Sequence, residues 1–564
     1  MPRKLTFFPV ALIAVLAACT QSTPLPSPSA PTLTTEPTAA DPSQASGQAA
    51  TTLPSPVPTD TAAPSPIPDF IPYTTPEWFQ NGILYEIYVR SFADSDGDGV
   101  GDLNGITARL DYLESLHVDV VWLMPIHPTT TVHGYDVIDF FAVNPEYGTH
   151  ADLENLVAEM HARGMRLIID FVASHVSNQH PYFRDALGNP ASGYAEWFHF
   201  TNDAHTTYQA FGGFSYLPRL NHFNPEVVDH LTEASLFWMD LDGDGDYIDG
   251  IDGFRVDNAT FPPKDYFIEW RQAVKLANPD ALVLGEVWVE QPQLLGPYFE
   301  DQFDALFNFP LLTLLANGGA VGADGTYEWT MPPSLITARV EGQAQTYPEA
   351  GILVQFFSNH DTDRLASEVG GDVAIQKLAA AVSLVLPDAF ALYYGEEIGM
   401  FGVAGGPPHY DSYRREPMDW FANQQGPLQT TWFQVPDRWN VPGDGVSVEE
   451  QEADPGSLLN TYRHLLELRT TLPALQGGDF VDLDAAAVGR KAWAVARVSE
   501  TQTLVGIYNF GPEAVEITIP DFPFSSETLV DLIGGAEFPG SVEGEPYVIT
   551  LESGTAVWFV DNPQ

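Results

Sequence analysis

The chain has 564 residues, 44% of them hydrophobic, enough for one large folded body with smaller ones beside it. Its formal net charge is −53 with only 23 Lys and Arg, which argues against nucleic acid as a partner, since binding it needs a basic surface. A single cysteine, Cys19, rules out an intramolecular disulfide.

The first 18 residues run from basic "MPRK" into apolar "LTFFPVALIAVLAA", the pattern of a secretory signal. The ending "LAAC" resembles a bacterial lipoprotein signal, which implies that Cys19 is lipidated and becomes the first residue of the mature chain. Residues 19–72 are dominated by Pro, Ser, Thr and Ala and cannot bury enough surface to fold, so a disordered tether is expected there. The expected place of the protein is the extracellular face of the cell envelope, lipid-anchored or secreted. A monomer is expected.

From Ile83 onward, short apolar runs alternate with amphipathic segments. "ILYEIYV", "VDVVWLMPI", "MRLIIDFV", "DGFRVD", "ALVLGEVW", "FDALFNF", "GILVQFFSNHD" and "FALYYGEEIG" read as eight strands, each followed by a helix-like stretch. That pattern predicts an α/β fold, a (β/α)8 TIM barrel over residues 73–475. The polar, aromatic stretch at about 176–225 is too long for a βα loop and reads as an inserted domain B. Residues 476–564 alternate in period two with no helices, which predicts a C-terminal all-β sandwich.

Catalytic groups of such a barrel sit at the C-terminal ends of its strands. Those ends carry Asp170 and His175, then Arg255 and Asp257, then Glu286, then Asn359, His360 and Asp361. Arg255 and Asp257 are two positions apart and share one side of a strand. Three carboxylates aimed at one cleft cost stability, because like charges raise each other's pKa. Glycoside hydrolysis needs such a set, with one carboxylate as nucleophile or base and one protonated acid.

"DFVASH" (170–175), "GFRVDNA" (253–259), "LGEVW" (284–288) and "FFSNHD" (356–361) resemble four motifs of the α-amylase superfamily, glycoside hydrolase family 13. "GILYEIYVRSF", "HGYDV", "ALYYGEEIGM" and "REPMDW" are similar to further family segments. The resemblance implies Asp257 as nucleophile, Glu286 as acid/base and Asp361 as the carboxylate that holds sugar hydroxyls and favours the transition state. It makes Arg255 the cation that favours ionised Asp257, and it implies that Glu286 keeps a proton near neutral pH. His133, Tyr135, His175, His360 and Arg415 are implied to contact substrate, the two histidines of the strand ends by donating hydrogen bonds. The substrate implied is an α-glucan such as starch or maltodextrin, cut with retention.

Three departures bear on specificity. Ser174 stands where relatives usually have a calcium-ligating asparagine; "NATF" replaces the Lys/His that usually follows the nucleophile; "LPRLN" (217–221) occupies a variable domain-B motif. In "DSDGDGVGD", the carboxylates of Asp94, Asp96, Asp98 and Asp102 and the carbonyl of Val100 have the alternate spacing that suits Ca2+, and relatives carry a calcium loop there. "DLDGDGDYID" (240–249) is equally acidic and fits that pattern less well. A neopullulanase, maltodextrin glucosidase or 4-α-glucanotransferase would share the same chemistry. A non-catalytic carbohydrate-binding protein on a degenerate barrel is the alternative of another class, and the intact carboxylate set speaks against it.

Overall fold

The computed structural model describes residues 75–561, residue 324 excepted. The signal, Cys19 and the tether lie outside the described residues. Among the described residues no helix is long and apolar enough to cross a membrane.

Eight parallel strands close into a barrel: β1 (Ile83–Ile87), β2 (Val120–Leu123), β3 (Arg166–Phe171), β4 (Gly253–Val256), β5 (Leu282–Gly285), β6 (Ala305–Phe307), β7 (Ile352–Gln355) and β8 (Ala389–Tyr393). These are the eight apolar runs of the sequence. Both faces are buried, so the runs read as continuous rather than alternating. Strand parity still separates the two faces. Leu84, Val120, Trp122, Ile168, Leu284 and Val354 form one apolar cluster inside the barrel, while Tyr85, Val121, Leu167, Phe254 and Val283 join the larger cluster under the helices. The same parity turns Glu86, Asp170 and Arg255 inward at the C-terminal ends. In register, Glu86 lies beside Trp122 and Asp170 beside Arg255.

The helix His150–Ala162 shows how local sequence sets a boundary. Thr149 and Asp152 form a reciprocal capping box at its start, and Gly164 takes φ 76° just past its end. The stretch after β1 is three short helices, Val89–Phe92, Leu103–Thr107 and Leu110–Ser115, rather than one. Between β5 and β6 there is only Pro292–Leu295 and a 3-10 turn, Gly296–Phe299, so not every strand is followed by a full helix. Pro297 supplies no amide to continue one. A small antiparallel hairpin, Gly319–Val321 with Tyr327–Trp329, sits between β6 and β7. The inserted segment after β3 has little regular structure. Isolated bridges, His175 to Arg219 among them, and stacked rings such as Tyr182 on Tyr194 at 4.0 Å hold it together.

The C-terminal region is antiparallel β. Strands Asp479–Asp482, Ala492–Val498, Thr503–Asn509 and Thr555–Val560 form one sheet; Ala486–Ala487, Val515–Ile519 and Tyr547–Leu551 form another. Ala494, Val505, Ile507, Ile517, Ile549 and Phe559 fill the space between the two. The alternate residues Trp493, Val495, Tyr508 and Trp558 belong to the cluster under the barrel helices. Trp493 Nε1 donates to Thr337 Oγ1 at 2.9 Å and Tyr508 Oη to the Ala381 carbonyl at 3.3 Å, so the four-stranded sheet is the seam with the barrel.

Candidate active site

Arg255 is fully buried at the inner end of β4. Its Nη1 donates to both oxygens of Asp170 at 2.8 Å and to Asp257 Oδ1 at 3.2 Å, and its Nη2 lies 2.8 Å from Glu286 Oε1. The guanidinium plane rests over the Trp122 ring, 4.9 Å from its centroid. One planar fork therefore fixes three carboxylates from three strands, which a lysine could not do.

The backbone past the strands reinforces this. Glu286 N–H donates to the Val256 carbonyl at 3.0 Å and Ala259 N–H to the Glu286 carbonyl at 2.9 Å. Between them Asn258 turns to φ 41°, a left-handed conformation that asparagine tolerates, and its N–H donates to Glu286 Oε2 at 2.9 Å. The loop after Asp257 is thus fastened to the acid it must work with.

Asp361 stands at the exposed edge, its side chain 37% accessible. Arg415 Nη2 holds Asp361 Oδ1 at 2.8 Å, and His360 Nε2 is 3.3 Å from Oδ2. Burial works against the charged form of Asp361, but His360 and then Arg415 outweigh it and hold the carboxyl below the usual carboxylate range. Burial pushes Asp257 up. Arg255 opposes that push, while Glu286, Asp170 and Asp361 add to it. The guanidinium acts in the direction expected from the sequence and is outweighed by burial and the neighbouring carboxylates. Such a crowd titrates as a unit.

The structure brings together all nine residues the sequence singled out for chemistry or substrate, and gives three of them close protein partners. Desolvation lowers His175 to about 3, so its ring is neutral; Nε2 donates to the Tyr135 carbonyl at 3.1 Å and Nδ1 pairs with Ser174 Oγ at 2.6 Å. No N–H of His175 remains for a sugar. His360 is fully buried with Nδ1 on Glu86 and Nε2 facing Tyr135 and Asp361, so it too has none to spare. Arg415 is 5% exposed; its Nε donates to the His360 carbonyl and its Nη2 to Asp361. All three orient neighbouring groups of the site. Tyr135 and His133 are half-buried and stacked, ring centroids 6.1 Å apart, as a platform requires.

Sequence reasoning assigned no part to Glu86 or Trp122 and no partner to Asp170. The signal for Glu86 was a lone carboxylate inside the apolar run "ILYEIYV", at the catalytic end of its strand. On the outer rim Phe261, 40% exposed, lies 5.0 Å from Phe211 and under the Arg219 guanidinium. The substituted "NATF" stretch thus gives the rim an apolar face.

At the acidic loop, carboxylate oxygens of Asp94, Asp96 and Asp102 converge within 4.8 Å of one another. Three hard oxygen donors fit a calcium ion. Asp98 is outside that set; its Oδ1 accepts the Val100 amide at 2.7 Å. Asp240, Asp242 and Asp249 form a second, more exposed trio. Among the described residues neither trio includes a residue from the end of β3, where Ser174 stands.

The Alpha amylase catalytic domain family matches residues 86–478. Alpha-amylase 3 of Dictyoglomus thermophilum is 35% identical over 419 residues, covering 71% of this chain and 79% of that protein. Neopullulanase 2 of Thermoactinomyces vulgaris is 28% identical, covering 86% and 79%. The crystal structure of the α-amylase from H. orenii superposes with a TM-score of 0.73 at 30% identity, over 86% of this chain and 100% of that one. With the barrel closed, the carboxylates gathered on one guanidinium and these likenesses in hand, the chain belongs to the α-amylase family of glycoside hydrolases.

Proposed function

We propose that the enzyme hydrolyses α-1,4-glucosidic bonds in starch and maltodextrins with retention of configuration. The Arg255 bridge carries this reading: one buried guanidinium holds Asp257 and Glu286 on separate nitrogens, with Asp361 open beside them. Two carboxyls on one fork suit the ~5–5.5 Å spacing of retaining enzymes rather than the roughly 6.5–9.5 Å that lets water in between.

Asp257 attacks the anomeric carbon as Glu286 passes its proton to the leaving oxygen. The C1–O bond breaks and a glycosyl ester forms on Asp257. Glu286 then takes a proton from water, which attacks the same carbon and frees Asp257. Attack needs Asp257 ionised; burial and the neighbouring carboxylates favour its protonated form, and the Arg255 guanidinium is the group that opposes them. Asp361 stays anionic, able to grip sugar hydroxyls and to stabilise the oxocarbenium-like transition state.

A transferase or neopullulanase-like product pattern is the second reading, favoured by the apolar rim of Phe211 and Phe261, which would hold an acceptor sugar as readily as let water pass. Asp94, Asp96 and Asp102 would hold Ca2+, whose charge would rigidify the loop after β1. Cys19 would anchor the enzyme outside the cell, as the single cysteine after the signal-like stretch suggests; a Cys19→Ser chain should then leave the membrane fraction.

The test is incubation with maltoheptaose. Shorter sugars alone support hydrolysis, longer ones transfer. If wild type and Glu286→Gln release reducing ends equally slowly, a non-catalytic binding protein replaces both readings.

A further inference from the structure

Glu86 is a carboxylate where the barrel lining is otherwise apolar at β1: Leu84, two residues earlier, faces the same interior and is fully buried. A charge so placed, 2% exposed, persists only if it is paired. Its partner lies 274 residues away: Glu86 Oε1 is 2.5 Å from His360 Nδ1. The other ring nitrogen, Nε2, is 2.7 Å from Tyr135 Oη and 3.3 Å from Asp361 Oδ2. A neutral imidazole has one N–H; the imidazolium has two. The carboxylates of Glu86 and Asp361, one on each side of the ring, are both given an N–H only by the imidazolium. The chain then has one consistent sense: His360 Nε2–H donates to Tyr135 Oη, and Tyr135 O–H donates to Asp170 Oδ2 at 3.1 Å, which also accepts Arg255.

We infer that Glu86 is a positioning residue of this enzyme, which acts through His360: its carboxylate fixes the buried ring so that Nε2 aims Asp361 and Tyr135 at the sugar. This deepens the proposed hydrolysis and rests on it. Glu86 itself does not touch substrate. It sets the charge and the angle of the group that does the aiming.

The charges around the ring agree. Glu86 faces it from β1, Asp361 from its own loop, Tyr135 from the β2 loop and Asp170 from β3, while Arg255 and Arg415 stand behind those carboxylates. Burial by itself would lower His360; Asp361 and Glu86 outweigh it and raise the ring to about 10. With Glu86 neutralised, burial is opposed by Asp361 and Asp170 without its help, and the ring loses its proton at lower pH than in the wild type.

The experiment compares wild type with Glu86→Gln and Glu86→Asp, reading kcat and KM on a maltooligosaccharide across pH, with thermal unfolding as a fold control. The expected result is a kcat at least tenfold down in Glu86→Gln with KM little changed, a new alkaline limb at lower pH, and partial rescue in Glu86→Asp. Unchanged pH profiles in a folded Glu86→Gln would overturn the inference. If that variant does not fold, histidine ring nitrogen NMR of wild type decides: a doubly protonated His360 at pH 8 supports the inference, a neutral ring overturns it. An inactive wild type would instead count against the proposed hydrolysis, leaving the ring NMR to judge Glu86.

Discussion

Replacing Arg255 by lysine keeps the charge and removes the fork. In the native site that fork spans Asp170 by two contacts of 2.8 Å, Asp257 at 3.2 Å and Glu286 at 2.8 Å. A lysine ammonium is a point charge and reaches one of these carboxylates well, most readily Asp170 on the neighbouring strand. Asp257 and Glu286 then stay buried without their cation. Breaking a buried ion pair costs about 3–5 kcal/mol of stability. One charged hydrogen bond lost in the transition state is worth ~1.5–3 kcal/mol, or roughly ten- to 150-fold in kcat/KM. The assay is thermal unfolding beside kcat/KM on a chromogenic maltooligosaccharide. Arg255→Lys within twofold of wild type in both would refute the bridge as the organising contact of the site.

Calcium should stabilise chelator-treated enzyme by about 2.7 kcal/mol at a hundredfold excess over its Kd, read as a rise in the unfolding midpoint, and Asp96→Ala should abolish the rise. Stability should also fall with alkali. Burial opposes the charged ring, but Asp361 and Glu86 hold His360 at about 10. Its unfolded value is ~6.5, so its contribution is complete below ~6.5 and is lost as pH climbs towards the folded value. Unfolding midpoints from pH 6 to 10 should show that slope, and His360→Gln should flatten it. Trp493→Ala should cost about 3–5 kcal/mol, read by denaturant unfolding, because the ring is 2% exposed at the seam between sheet and barrel.

The barrel was legible because strands covered on both faces are written as unbroken apolar runs, and each of the eight runs became a strand. Asp257, Glu286 and Asp361 were legible because a carboxylate at a strand's C-terminal end has no packing reason to be there. What the chain does not write is who pairs with whom across distance. Glu86 and His360 are 274 positions apart, and nothing in either neighbourhood names the other. His175 and Arg415 look unpartnered in one dimension; the fold sets them against Tyr135, Ser174 and Asp361. The hairpin Gly319–Val321 with Tyr327–Trp329 escaped notice because three-residue strands are too short to show a period. The C-terminal strands did show period two, and the structure adds what the second face covers: Trp493 and Trp558 pack under barrel helices instead of facing water.

The proposed spacing of Asp257 and Glu286 on one guanidinium implies retention, and the first sugar released reports it. Proton NMR during the opening minutes of maltooligosaccharide cleavage, before mutarotation, should show the α-anomer at the new reducing end. An initial β-anomer would contradict the account, because inversion needs a water between two carboxyls standing roughly 6.5–9.5 Å apart, whereas both are proposed to share one guanidinium at the closer, retaining spacing.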